Sequence, residues 1–137
     1  IHAAEHYGVH AVGVTLSRPQ VEYARRAAAA AALDRRVEIR YQDYRDVRDG
    51  PFDAISSIGM VEHVGAAQLR RYFARLYALL RPGGRLLNHG ICRPQGSGGL
   101  KRSSFVGHYV FPDGELHEVG VLAQAMQAQG FEVRDDE

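Results

Sequence analysis

Two periodicities divide this chain. Val9–Leu16 (VHAVGVTL) is a short, mostly apolar run, and Val37–Tyr41 (VEIRY) alternates apolar and polar positions, so each predicts a strand. Between them Ser17-Arg18-Pro19-Gln20 opens a helix that runs to about Leu33, with Ser17 as N-cap and Gln20 at the third helical position in a capping box. After a polar loop over Gln42–Gly50, the apolar run Phe52–Ile58 predicts a third strand. From Ala66 to Leu80, the apolar residues Leu69, Tyr72, Phe73, Leu76, Leu79 and Leu80 recur at helical spacing, with Arg70, Arg71 and Arg75 on the other face. Arg81-Pro82-Gly83-Gly84 then leads into a fourth strand over Arg85–Ile91. A Gly/Ser-containing loop (Arg93–Gly107) and an aromatic, turn-like stretch (His108–Gly114) follow. A helix over roughly Glu118–Gln129, stopped by Gly130, and a last strand at Phe131–Arg134 close the pattern. Alternating strands and helices predict an α/β fold, a mostly parallel sheet with helices on both faces.

The ends are unusual. Ile1 to Gly8 reads as the last turns of a helix stopped by a glycine, and the last strand runs into Asp135-Asp136-Glu137. Both predict a fragment of a larger fold. At 137 residues the chain is about one domain, residues 1–137 forming a partial one. A net charge of +1, with Lys101 the only lysine, gives no case for nucleic-acid binding. The alanine tract Ala27–Ala32 signals helix propensity and packing. A single cysteine, Cys92, excludes an internal disulfide framework and fits a reducing compartment, where it reads as a small buried hydrophobe. No apolar run approaches the ~20 residues of a membrane span. Together these predict a soluble, cytoplasmic protein.

In a parallel α/β sheet, ligands sit at the carboxyl ends of the strands. That rule gathers Thr15, Ser17 and Gln20 after the first strand, and Gln42, Asp43 and Tyr44 after the second. Glu62 and His63 follow the third, and His89 closes the fourth. Such an edge offers hydrogen-bonding partners to the ribose, base and reacting group of a nucleotide-like ligand. No metal-ligand pattern is present.

Four stretches, in this order and at this spacing, resemble the cyclopropane-fatty-acyl-phospholipid synthase family, which includes the mycolic acid cyclopropane synthases. They are Gly13-Val14-Thr15-Leu16-Ser17-Arg18-Pro19-Gln20, Gln42-Asp43-Tyr44-Arg45-Asp46, Ser57-Ile58-Gly59-Met60-Val61-Glu62-His63-Val64-Gly65 and Tyr109-Val110-Phe111-Pro112-Asp113-Gly114. The resemblance covers nearly the whole chain and implies a Rossmann-like class I methyltransferase fold using S-adenosylmethionine, here without its first strand and its C-terminal end. The family's Gly-rich cofactor motif is absent, and a sheet lacking that central strand has a gap in its middle. The polypeptide by itself is therefore expected to be unstable or inactive.

The resemblance also implies roles. Thr15 and Gln20 match contacts to the methionine and ribose portions of the cofactor, with Ser17 beside them. Asp43 and Tyr44 match the adenine end, and Ser57, Ile58 and Gly59 the wall of the pocket. Glu62 and His89 match the side chains that hold a bicarbonate ion, the family's proposed base, with Ile91 contributing backbone. Apart from the resemblance, aromatic Tyr109 and Phe111 offer a wall for the cation and the lipid chain.

Plainer readings stand beside these. Gln20 completes a capping box, and Asp43 is a turn or cap residue. Glu62 is a structural hydrogen-bond acceptor, His63 a packing residue diverging from its neighbour, His89 a satisfied core histidine, and Tyr109 and Phe111 are core.

The expected function is an S-adenosylmethionine-dependent C-methyltransferase adding a methylene across a cis double bond of an unsaturated phospholipid acyl chain. The implied partners are those acyl chains, reached through peripheral membrane contact, and a homodimer is left open. Two alternatives remain at this point. One is a class I methyltransferase acting on another lipid or small-molecule acceptor; the other is a truncated, non-catalytic nucleotide-fold binding module.

Overall fold

The computed structural model describes residues 1–96 and 115–135. The aromatic motif Tyr109–Gly114 and most of the Arg93–Gly107 loop lie outside the described residues. The chain divides into two compact units, Ile1–Arg48 and Asp49–Glu137.

The first unit comprises α1 (His2–Tyr7), β1 (Ala11–Thr15), α2 (Arg18–Ala30), β2 (Val37–Tyr41) and a short 3-10 turn, Tyr44–Asp46. As the sequence predicts, α1 stops at a left-handed Gly8. β1 and β2 are parallel, in register from Ala11 opposite Val37 to Thr15 opposite Tyr41, with α2 as the crossover. Ala4, Ala28 and Val37 form a small buried cluster, with Leu33 and Ile39 packed against it.

The predicted helix through Leu33 ends sooner, at Ala30. The Leu33 N–H reaches the Ala28 carbonyl and the Ala32 N–H reaches that of Ala29, both at 2.9 Å. This is a Schellman stop, and it places Ala32 in the left-handed region at φ 54°. No glycine announced it, because an alanine holds the position where glycine is usual.

The second unit contains β3 (Phe52–Ile58), 3-10 turns at Val61–His63 and Ala66–Gln68, α3 (Leu69–Leu79), β4 (Leu80–His89) and α4 (Val119–Gln127). The apolar stripe read from the sequence is the buried face of α3: Leu69, Tyr72, Phe73, Leu76 and Leu79 are all inside. α3 is the crossover between parallel β3 and β4. Phe52 pairs with Leu80, and after a register shift Ala54 to Ile58 pair with Arg85 to His89. β4 thus begins earlier than Arg85, with residues 81–84 taken up in the shift.

Among the described strands, β1 is hydrogen-bonded to β2 and β3 to β4, in two separate ladders. The last strand expected at Phe131–Arg134 does not form. Phe131 instead stacks edge-on against Tyr77, ring centres 5.1 Å apart, and its N–H returns to the Met126 carbonyl at the end of α4. A strand exists only by pairing, and none of the described strands pairs with this segment.

Candidate functional site

The carboxyl end of the β1–β2 ladder holds one connected polar group. Thr15, the last residue of β1, donates its hydroxyl to Gln20 Oε1 at 2.8 Å and accepts the Ser17 N–H at 3.1 Å. Ser17 Oγ accepts the Gln20 N–H at 3.4 Å, so Ser17 is the N-cap of α2. In a capping box the Gln20 side chain would return to the Ser17 N–H. Here Thr15 takes that N–H and Gln20 turns to Thr15. The box is half formed, and the two side chains matched to the cofactor are hydrogen-bonded to each other.

Across the ladder, the Gln42 N–H reaches the Thr15 carbonyl at 3.2 Å, bringing the end of β2 alongside. Asp43 caps the turn that Tyr44 begins, accepting the Arg45 N–H at 2.9 Å. The Arg45 guanidinium grips the same carboxylate through both oxygens, at 2.5–3.0 Å. That grip holds the Asp43 carboxyl below the usual carboxylate range. The cap reading of Asp43 is therefore structurally real, and its carboxylate is already engaged by Arg45. At the same edge the Arg18 guanidinium lies over the Tyr41 ring, 4.7 Å from its centre. Neither residue stood out in the sequence, since a cation–π pair between a helix start and a strand end has no local signature.

In the second unit, Ser57, Ile58 and Gly59 end β3. Ser57 is buried and bonded to the hydroxyl of Tyr72 at 2.5 Å, while Tyr72 donates to Asn88 Oδ1 at 3.2 Å. The Tyr72 hydroxyl therefore links Ser57 of β3 to Asn88 of β4 from its place on α3. Ile58 points outward at 63 % exposure. Gly59 turns the chain at φ 66°, and its N–H meets the His89 carbonyl at 3.0 Å.

The following turn separates two neighbours. Glu62 is carried inside, 2 % exposed, whereas His63 faces out. Glu62 Oε1 accepts the main-chain N–H of Ile91 at 2.8 Å. Its Oε2 is buried and has no hydrogen-bond partner among the described residues. Gly90 makes this approach possible: a Cβ there would stand 2.3 Å from Val61 Cγ1 and 3.4 Å from the Glu62 carboxyl carbon. Nothing local in the sequence marks Gly90, because the constraint comes from a residue 29 positions earlier.

His89, at the end of β4, is exposed, which removes the core-histidine reading. Cys92 is half-buried rather than buried, and burial with the Glu62 charge pushes its thiol pKa up. The structure thus joins Glu62 to Ile91 through the backbone N–H, with His89 two residues before Ile91 in sequence.

Parallel strands joined by helical crossovers, with ionisable groups at their carboxyl ends, define an α/β protein of the nucleotide-binding kind. A family model described as mycolic acid cyclopropane synthetase matches residues 1–137, and the chain belongs to that family. It is 41% identical over 130 residues to a probable fatty acid methyltransferase of Mycobacterium tuberculosis, covering 95% of this chain and 30% of the relative. To the cyclopropane-fatty-acyl-phospholipid synthase of Escherichia coli it is 39% identical over 124 residues, 90% of this chain and 31% of the relative. The crystal structure of the mycolic acid cyclopropane synthase CmaA1, complexed with SAH and CTAB, superposes with a TM-score of 0.81 at 28% identity. That match covers 98% of this chain and 50% of CmaA1. The chain therefore shares the fold of the matched half of that enzyme and spans about a third of the length of these curated relatives. Among the described residues, no helix is long and apolar enough to cross a membrane.

Proposed function

We propose that the protein is an S-adenosylmethionine-dependent C-methyltransferase that adds a methylene across a cis double bond of an unsaturated phospholipid acyl chain. The observation that carries this reading is Glu62, a buried carboxylate with one oxygen on the Ile91 N–H and the other without a partner among the described residues.

An alkene is a weak nucleophile. Attack on the cofactor's electrophilic methyl breaks a carbon–sulfur bond and leaves a carbocation on the acyl chain. Loss of one proton from the new methyl closes the ring, so the site must stabilise positive charge, exclude water and accept that proton. When bound, S-adenosylmethionine would supply the methyl and bicarbonate the base.

A buried acceptor without a donor is costly, so Glu62 Oε2 fits a ligand that brings a hydroxyl hydrogen, as bicarbonate does. Glu62 and His89 would hold that anion, with Ile91 contributing backbone. The carboxylate, away from water, also sets a negative field where positive charge develops. In the first unit, Thr15, Ser17 and Gln20 take the methionine and ribose portions of the cofactor, and Asp43 and Tyr44 the adenine end. Access to acyl chains calls for peripheral contact with the cytoplasmic face of a membrane.

The similarity to a probable fatty acid methyltransferase favours a second outcome at the same site, a methyl branch in place of the ring. Lipid mass spectrometry and NMR on cells expressing the complete reading frame, fed methyl-labelled methionine, test both. A labelled cyclopropane methylene with loss of the olefin supports ring closure; a labelled methyl branch supports the second outcome. Unchanged lipids, with the protein folded and binding the cofactor, would sink both and direct the search to another acceptor.

A further inference from the structure

The turn that carries Glu62 is tied to a segment far along the chain. The Glu115 N–H donates to the Glu62 carbonyl at 2.9 Å, and the Glu115 carboxylate accepts the Ala66 N–H at 2.9 Å. Between these, His117 is buried, 5 % exposed, with Nε2 2.7 Å from the Val64 carbonyl. A carbonyl oxygen only accepts, so Nε2 carries the hydrogen.

The same segment holds the chain just beyond Ile91. The His117 carbonyl accepts the Arg93 N–H at 3.0 Å, and Arg93 Nε donates to the Leu116 carbonyl at 3.0 Å. The Arg93 guanidinium also pairs with Glu118 at 2.9 Å. Two pieces of chain must be held in register for the Glu62 carboxylate to meet the Ile91 N–H. His117 contacts both, the first through its ring and the second through its main chain.

We propose that His117 is a positioning residue that fixes Glu62 against Ile91, bracing residues 61–66 and 91–93 from outside the reacting groups. The catalytic consequence rests on the methyltransferase reading above; the bracing does not. A hydrogen-bonding side chain is required because Val64 presents a buried carbonyl, and an apolar residue there would leave it without its donor.

The test uses the protein expressed from its complete reading frame, as wild type, H117L and H117Q. Amide hydrogen exchange at Ile91 reports the Glu62 contact whatever the reaction. In H117L, Ile91 exchange should accelerate at least tenfold while the amides of the β1–β2 ladder keep their rates. H117Q, whose amide can still donate to Val64, should stay within threefold of wild type. In the methyl-transfer assay H117L should lose about thirtyfold in kcat with KM for S-adenosylmethionine unchanged, and H117Q should recover most of it.

Unchanged Ile91 exchange in H117L overturns the proposal, as does a uniform acceleration across the chain, which marks a merely structural histidine. If H117L does not fold, H117N, too short to reach Val64, takes its place; failure of both to fold likewise overturns it. Accelerated Ile91 exchange in H117L, together with a wild type that transfers no methyl group, would remove the proposed reaction and leave His117 as the brace of Glu62.

Discussion

Glu62 and Ile91 lie 29 residues apart in sequence and meet through a 2.8 Å hydrogen bond from the Ile91 N–H to one carboxylate oxygen. The other oxygen is sealed from solvent without a partner among the described residues. Glu62→Gln keeps the shape and the acceptor for Ile91 but removes the charge. It should lower methyl transfer by about 100-fold or more, the scale of deleting a preorganised electrostatic group. Cofactor affinity and the thermal midpoint should change little, and calorimetric binding beside a labelled-methyl assay checks both.

Gly90 sits where a side chain would collide with buried Val61, so Gly90→Ala forces the Glu62 turn to move. Overpacking of this kind costs about 1–3 kcal/mol. Denaturant unfolding should show that loss, and activity should fall with it. A variant as active and as stable as wild type would mean that the turn yields freely.

Tyr72 links Ser57 to Asn88. Tyr72→Phe leaves the buried Ser57 hydroxyl without its partner, at a cost of about 1–3 kcal/mol. Adding Ser57→Ala should recover part of that loss, because it removes the orphaned group. Urea midpoints of the two single variants and the double variant settle the point; strict additivity would count against the linkage.

Ala32 holds a left-handed conformation that costs an L-residue about 1–2 kcal/mol. Ala32→Gly should therefore raise stability by about 0.5–1 kcal/mol once the greater freedom of the unfolded glycine is set against it. Ala24→Gly, in the interior of the same helix, should lower stability by about as much. Paired thermal melts distinguish this from a general effect of glycine.

Asp43 is held charged by Arg45, so its folded pKa lies below its unfolded one. The resulting stabilisation is complete above the unfolded carboxyl's pKa of about 3.9 and is lost as pH falls through the lower folded value. The difference in thermal midpoint between wild type and Asp43→Asn should be positive at neutral pH. It should shrink as the pH is lowered from about 4 towards 2. A difference independent of pH would show that the ion pair is not its source.

Much of this was legible in the sequence, for identifiable reasons. The α3 stripe could be read because burial repeats with the helical period, and Glu62 and His63 were separable because adjacent side chains diverge. Ser17 could be read as a cap because the signal is local. The half-formed capping box was not legible, since Thr15 competes for the N–H that Gln20 would otherwise take. Gly90 and His117 were invisible for another reason: their partners lie 29 and 53 residues away. No strand forms at Phe131–Arg134 because an apolar alternation records burial, here of Phe131 against Tyr77, and not strand pairing.

The Val64–His117 contact also has a temporal side. With 53 residues between its partners, it is a high-contact-order closure, made only after the intervening chain exists. At ribosomal rates of about 5–20 residues per second, roughly 3–10 s separate synthesis of the Glu62 turn from arrival of its brace. During that interval the nascent chain carries the carboxylate but lacks His117 to hold it. Synthesis of this part of the protein is thus ordered, with the Glu62 carboxylate made before the residue that constrains it.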